Sequence, residues 1–302
     1  MTAPEPVERT PGPAWARRRA AARRAWGEFT RHRAGVLGLG VLVLVIALAA
    51  LAPLITDADG VDVTRATGGR LEPPGGRYWL GTDENGRSVL LLVLWGARIS
   101  LLVGLSATLL SIAIGTVVGI LTGHFGGWGS ALLMRLTDFF LVLPSLVLAI
   151  ALSTVIGPGV GTIVLAIGVT SWPSAARLVR AQTLGVEARP YIERSRALGG
   201  GHLHVIGKHV LPGVLPLVLV NTTLAVGTAI VAESTLAFLG LGDPVAISWG
   251  SMLRSASNSG AVTAGAWWYL VPPGLAIAVV VLAFTLCGRA MESVLNPRLR
   301  ER

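Results

Sequence analysis

Runs of residues without a charged side chain dominate this sequence, and their lengths restrict the fold more than any single motif does. About 20 helical residues cross a hydrocarbon core of about 30 Å, and inside that core every backbone N–H and C=O must find its partner within the protein. Val36 to Ile55 is one such run, and Ile99 to Gly123, between Arg98 and His124, is a second. Phe139 to Ala176 has no charge over 38 residues, too many for one ordinary span. "GPGVG" at 157–161 supplies a turn that divides this run into a third and a fourth helix. Val210 to Ala232 begins a fifth helix that continues past Glu233, and Trp267 to Gly288 is the sixth. The expected fold is an all-α integral membrane protein with six transmembrane helices and both termini on one side.

Charge supplies the orientation. Only 14% of the residues are charged, against about 25% in soluble domains, and the formal net charge is +9. Such an excess suits nucleic acid, but it also arises when a membrane protein keeps Lys and Arg in its cytoplasmic loops. With the N-terminus inside, 19 of the 25 basic residues fall in cytoplasmic segments. Most of the others share one loop with Asp57, Asp59, Asp62, Glu72, Asp83 and Glu84. The expectation is therefore N-in and C-in in a cell membrane, with the lipid bilayer and not nucleic acid as the partner of the charge pattern.

Arginines ahead of an apolar run in "PEPVERTPGPAWARRRAAARRAW" imitate a secretory or twin-arginine leader. The run that follows exceeds the usual h-region of about 7–15 residues, and five further spans come after it. The segment reads instead as a Pro-rich tip and a basic amphipathic stretch, with Trp15, Trp26 and Phe29 among arginines, on the inner leaflet. Cys287, the one cysteine, lies in an apolar run and reads as a packing residue. The chain thus divides into a basic N-terminal segment (1–34), the first span with an extracytoplasmic loop (35–98), a core of the other spans (99–289) and a cytoplasmic tail (290–302).

The loop between the fourth and fifth spans, Arg180 to His209, is longer than a connector needs. "EARPYIERSRAL" suits a short helix, with Pro190 in its first turn, one face containing Ile192, Ala197 and Leu198, and Gly199 to Gly201 ending it. "HLHVIGKHV" suits a second, and Pro212 and Pro216 then open the fifth span. A short helix at the end of a bundle, apolar on one side and basic on the other, suits docking in a partner's groove. His202, His204 and His209 lack an acidic or thiol residue to complete a metal set, and the surrounding basic residues repel cations.

Two carboxylates stand apart. Asp138 and Arg135 read as a local pair and cap near a helix start. Glu233 follows 23 uncharged residues, so it must find a partner, protonate or face water. It lies 21 residues beyond Pro212, roughly 31 Å at 1.5 Å per residue, which places it near the outer boundary in a packing or gate role.

"YIERSRALGGGHLHVIGKHVLPGVLP" resembles the EAA loop of binding-protein-dependent ABC importer permeases. Glu193, Arg194 and Ser195 take the Glu-Ala-Ala places, with both alanines replaced; Gly199 takes the glycine, and Leu211 and Pro212 the Leu-Pro. "LGTDENGRSVLLLVLWGARISLLVG", "GHFGGWGSALLMRLTDFFLVLPSLVLAI", "ESTLAFLGLGDPVAISWGSML" and the closing "LNPRLR" resemble, in the same order, segments of the C-type permeases of dipeptide, oligopeptide and nickel importers, with Ser88 where those carry Asp. The resemblance implies a type I importer permease fold whose EAA loop, 187–212, seats in an ATPase subunit. It implies contacts there by Glu187, Arg189, Tyr191, Glu193, Arg194, Ser195, Arg196, Leu198, Gly199, His209, Leu211 and Pro212. Asn221, Glu233 and Asp138 stand as candidate gate or packing residues. It further implies a second, B-type permease, two ATP-binding subunits and an extracytoplasmic substrate-binding protein. No "GxxxxGK[ST]" phosphate loop occurs, so ATP hydrolysis is expected on separate subunits and this chain needs no catalytic residue, cofactor or metal. The competing classes are a proton-coupled secondary transporter using Glu233 or Asp138, a membrane scaffold and an ABC exporter half.

Overall fold

A computed structural model describes Arg19, Arg23, Arg24 and residues 26–56 and 58–295. Trp15 and the final "NPRLR" lie outside the described residues. The described residues form helices and no strand: α1 (Arg33–Ile55), α2 (Val89–His124), α3 (Gly127–Val142), α4 (Ser145–Ile156), α5 (Val160–Glu187), α6 (Pro190–Ala197), α7 (His202–Val205), α8 (Leu211–Phe238), α9 (Trp249–Asn258) and α10 (Trp267–Leu295). Five stretches, α1, α2, α5, His202–Phe238 and α10, are long and apolar enough to cross a membrane. The pair α3 and α4, bent by 91°, makes the sixth candidate span.

That bend corrects the sequence expectation. The 38-residue uncharged run breaks twice, at Gly157–Gly159 as expected and also at Leu143–Pro144. Proline disfavours helical backbone in the residue before it, and Leu143 is extended with φ −78° and ψ 132°. The third span is therefore two half-length helices. Pro53, Pro173, Pro216, Pro272 and Pro273 sit inside helices that continue past them, because neighbouring helices stabilise a chain whose ladder loses one bond. Helices also outrun the charge-free windows: α2 begins ten residues before Ile99, and α5 runs eleven beyond Ala176 through Arg177 and Arg180. Charge-free length measures the hydrocarbon layer, whereas long basic side chains let a helix continue into the interface.

The centre of the bundle is the parallel pair α2 and α5, whose contacts advance together from Leu110 beside Gly168 to Gly123 beside Thr183. At Gly115, Gly119 and Gly123 a methyl group would come within 2.6 to 2.7 Å of Ala175, of Ala176 and Val179, and of Thr183, respectively. Small residues let two backbones meet this closely, the usual source of helix affinity where lipid removes the hydrophobic contrast. α10 packs along α1, where Cys287 is buried against Gly35 and Gly38. Ser293 Oγ lies 2.9 Å from His32 Nε2, so the start of α1 and the last turn of α10 meet at the end of the bundle that also holds His124, Glu187 and His202.

The segment 58–88 folds on itself at the opposite end. Asp83, fully buried, accepts from the backbone N–H of Asn85 at 3.0 Å, and from the backbone N–H and Nε of Arg87, both at 2.7 Å. Arg87 Nη1 in turn donates to the Val61 carbonyl at 3.2 Å. Thr82 Oγ1 donates to Gly69 and accepts from the Glu72 N–H. The "GTDENGRS" motif is thus a closed polar knot that leads into α2, with Ser88 at the N-cap position.

Candidate coupling hairpin and central cavity

α6 starts with Pro190 in its first turn, where a missing N–H costs nothing, and stops at a two-bond C-terminal motif. Gly199 N–H donates to the Arg196 carbonyl and Gly200 N–H to the Ser195 carbonyl, both at 2.9 Å, with Gly199 at φ +86°. Gly200 is less free than the family pattern implies: a Cβ there would lie 2.7 Å from the Ser195 carbonyl oxygen. Around Gly201 there is open space. The second loop helix is not a separate one. α7 runs through a π turn, Ile206–Val210, straight into α8. The wider turn falls where the ring of Pro212 would meet the carbonyl four residues back.

Ile192 anchors this hairpin. It is fully buried in a cluster with Val179, Val186, Val205, Val210 and Val214. The other face is open: Leu198 and Leu203 are 83% and 86% exposed, and Arg189, Glu193 and Arg194 are exposed beside them. Tyr191, Arg194, Leu198, His204, Lys208 and His209 rim a shallow groove of about 500 Å³. Of the predicted loop residues, the structure separates Glu187, which turns inward, from those that face out. Glu187 accepts from Arg196 at 2.6 Å and pairs with Nδ1 of His124, a residue the sequence reading did not single out. Leu211 and Pro212 form the start of α8.

A second feature is a cavity of about 580 Å³ bounded by α2, the break between α3 and α4, α5 and α8. Thr108, Ser111, Ser145, Thr170, Ser171, Ser174, Asn221 and Thr228 supply its polar groups, and none of its described lining residues carries a formal charge. Asp138 is not among them. It pairs with Arg177 of α5 at 2.6 Å, not with Arg135, and it lies in the fourth turn of α3 and not near its start, which corrects the expected local pair. Nor does Glu233 line the cavity. It is 1% exposed, among the hydroxyls of Ser100, Ser234 and Ser248. Ser100 Oγ accepts from the Trp249 N–H and Ser248 Oγ from the Ser251 N–H, so each serine relays an amide from the first turn of α9 to the carboxylate. The first turn of α9 thus reaches this buried carboxyl group through two serine hydroxyls.

Residues 115–301 match the family model described as binding-protein-dependent transport system inner membrane component. The chain belongs to this permease family. Residues 21–74 match a second model, the N-terminal transmembrane domain of oligopeptide transport permease C. The di/tripeptide transport system permease protein DppC of Pseudomonas aeruginosa is 38% identical over 91% of this chain and 91% of its own length. The dipeptide permease DppC of Bacillus subtilis is 36% identical over 91% and 85%, and the glutathione transport permease GsiD of Pectobacterium atrosepticum is 36% identical over 92% and 91%. Among solved structures, a chain of the MetNI methionine ABC transporter in an inward-facing conformation superposes with TM-score 0.53 at 23% identity, covering 68% of this chain and 97% of that one. The fold is that of an ABC importer permease, a multi-pass membrane subunit. Members of this family work with other permease, ATPase and binding-protein components.

Proposed function

We infer that this permease carries peptides inward, that its hairpin 187–212 docks on an ATPase subunit, and that a second permease completes the cavity. The observation that carries this reading is the hairpin itself: Ile192 is clamped into the bundle while Leu198, Leu203 and Arg194 face out. A segment built this way moves as one piece with whatever grips its outer face, and closure of ATP-bound subunits is a source of such movement. Peptide is favoured because the named relatives above transport dipeptides, tripeptides and glutathione by their descriptions. A zwitterion also suits a wall of hydroxyls and one amide. The test is uptake of a labelled dipeptide into cells or vesicles. Uptake is expected only when the chain is combined with a second permease, ATPase subunits and a binding protein. Proton-driven uptake with the ATPase subunits deleted would establish a secondary transporter instead.

The hairpin must then face the cytoplasm, as must both termini. The charge distribution supports that side, as does the meeting of the start of α1 with the last turn of α10. Val245, 91% exposed at the opposite end, and Leu203 report on it. Cysteine at 245 is expected to react with an impermeant thiol reagent added to intact cells, and cysteine at 203 only after permeabilisation. The reverse pattern would invert the orientation.

A further inference from the structure

Glu187 is the last residue of α5, where unpaired carbonyls and the helix dipole disfavour a carboxylate. No basic residue lies in the last turn of α5 to compensate. Compensation arrives from three other elements. Arg196, near the end of α6, reaches back to Oε2 at 2.6 Å. His124, the last residue of α2, puts Nδ1 on Oε1. Its Nε2 lies 2.9 Å from Nδ1 of His202, the first residue of α7. Phe125 closes the group with its ring against both imidazoles, 4.7 Å and 5.1 Å between centroids. The side chain of His124 has no exposure and that of Glu187 only 11%, so the pair sits out of bulk water, where it is stronger than a surface pair.

Between α5 and α6 lie only Ala188 and Arg189, the natural hinge between bundle and hairpin. The four-residue chain Arg196–Glu187–His124–His202 bridges that hinge from both sides and includes α2, which has no covalent continuity with the hairpin. α2 and α5, locked together by their glycine contacts, go on to form two walls of the cavity through Thr108, Ser111 and Thr170. We propose that this network is a strut: His124 is a positioning residue that makes hairpin and cavity walls move as one body, so that ATP hydrolysis is spent on transport. The strut rests on the docking reading above, but its central pair, Glu187 and His124, is turned inward, away from Leu198, Leu203 and Arg194. Docking and transmission are therefore separable by mutation.

The assay is the ratio of ATP hydrolysed to solute imported by the complete complex in proteoliposomes. With His124→Ala the complex is expected to co-purify and to hydrolyse ATP within about twofold of the parent, while uptake falls about tenfold, in the range of coupling effects at sites between two functional centres. A residue needed only for folding would lower both rates together. His124→Gln, whose amide can still reach Glu187, is expected to recover most of the parent ratio. A parent-like ratio in His124→Ala overturns the strut while leaving ATPase docking intact, whereas parent uptake without any ATPase overturns both. If His124→Ala fails to assemble, Arg196→Gln opens only the exposed end of the network, and a parent-like ratio there overturns the strut equally.

Discussion

Gly199→Val is expected to yield a full-length, membrane-inserted chain with uptake reduced at least about tenfold and ATPase association weakened. The reason is conformational and not steric. A Cβ at Gly199 meets nothing within 4 Å, but the residue sits at φ +86°. Left-handed backbone costs an ordinary residue about 1–2 kcal/mol, and a β-branched one fits there worst. Relaxing that strain breaks the bonds from Gly199 and Gly200 to Arg196 and Ser195, so α6 loses its end and Leu198 its place. The apolar spans are untouched, which separates this effect from failure to insert. Gly201, with φ −70° and open surroundings, is the control. Gly201→Ala should transport like the parent, while Gly200→Ala should not, because its methyl group would press on the Ser195 carbonyl oxygen. Uptake and pull-down of the ATPase check both, and Gly199→Val with parent values would remove the hairpin from the coupling role.

Gly119→Val is expected to lose the folded bundle altogether. The added side chain would begin 2.7 Å from the Ala176 carbonyl oxygen and from Val179 Cβ. One of these is backbone and the other a branched carbon next to it, so neither can rotate away. Overpacking in a tight contact costs about 1–3 kcal/mol or more, and here relief requires prising α2 from α5 along most of their length. The measurement is the yield of monodisperse protein in mild detergent together with its thermal midpoint. Gly185→Ala in the same α5, where nothing lies within 4 Å, should be neutral or stabilising. Equal behaviour of Gly119→Val and the parent would show that the pair can separate without loss, and would deny α2 and α5 their role as one unit.

Much of this fold was legible because a hydrocarbon layer leaves a chain few options. α1 matched its charge-free run to within three residues, and α6 began at Pro190 and ended at glycines as local signals require. What the windows lacked was anything that distinguishes a proline that breaks a helix from one that does not. Pro144 ends a segment whereas Pro173 rides inside one, and the difference lies in neighbours: α5 is held along its length by α2, while α3 and α4 border a cavity. The pairings were less legible still. Asp138 chose Arg177, 39 residues away, over Arg135, and Glu187 chose His124, 63 residues earlier. Partner choice across a bundle depends on which helix ends meet, and a one-dimensional reading ranks near neighbours first. His124 did carry a faint signal, a titratable ring closing the second uncharged run.

The cavity walls have a kinetic meaning as well as a chemical one. A charged side chain would hold an oppositely charged group of a passing solute by an ion pair, and leaving a desolvated pair is slow because the partner is left uncompensated. Thr108, Ser111, Thr170 and Asn221 offer dipoles instead, each exchangeable for water at about 1 kcal/mol. A solute can trade one such contact for the next without ever resting in a deep well. On the transport reading proposed above, such a wall acts as a lubricant and not as a trap, which leaves helix movement to set the time of crossing.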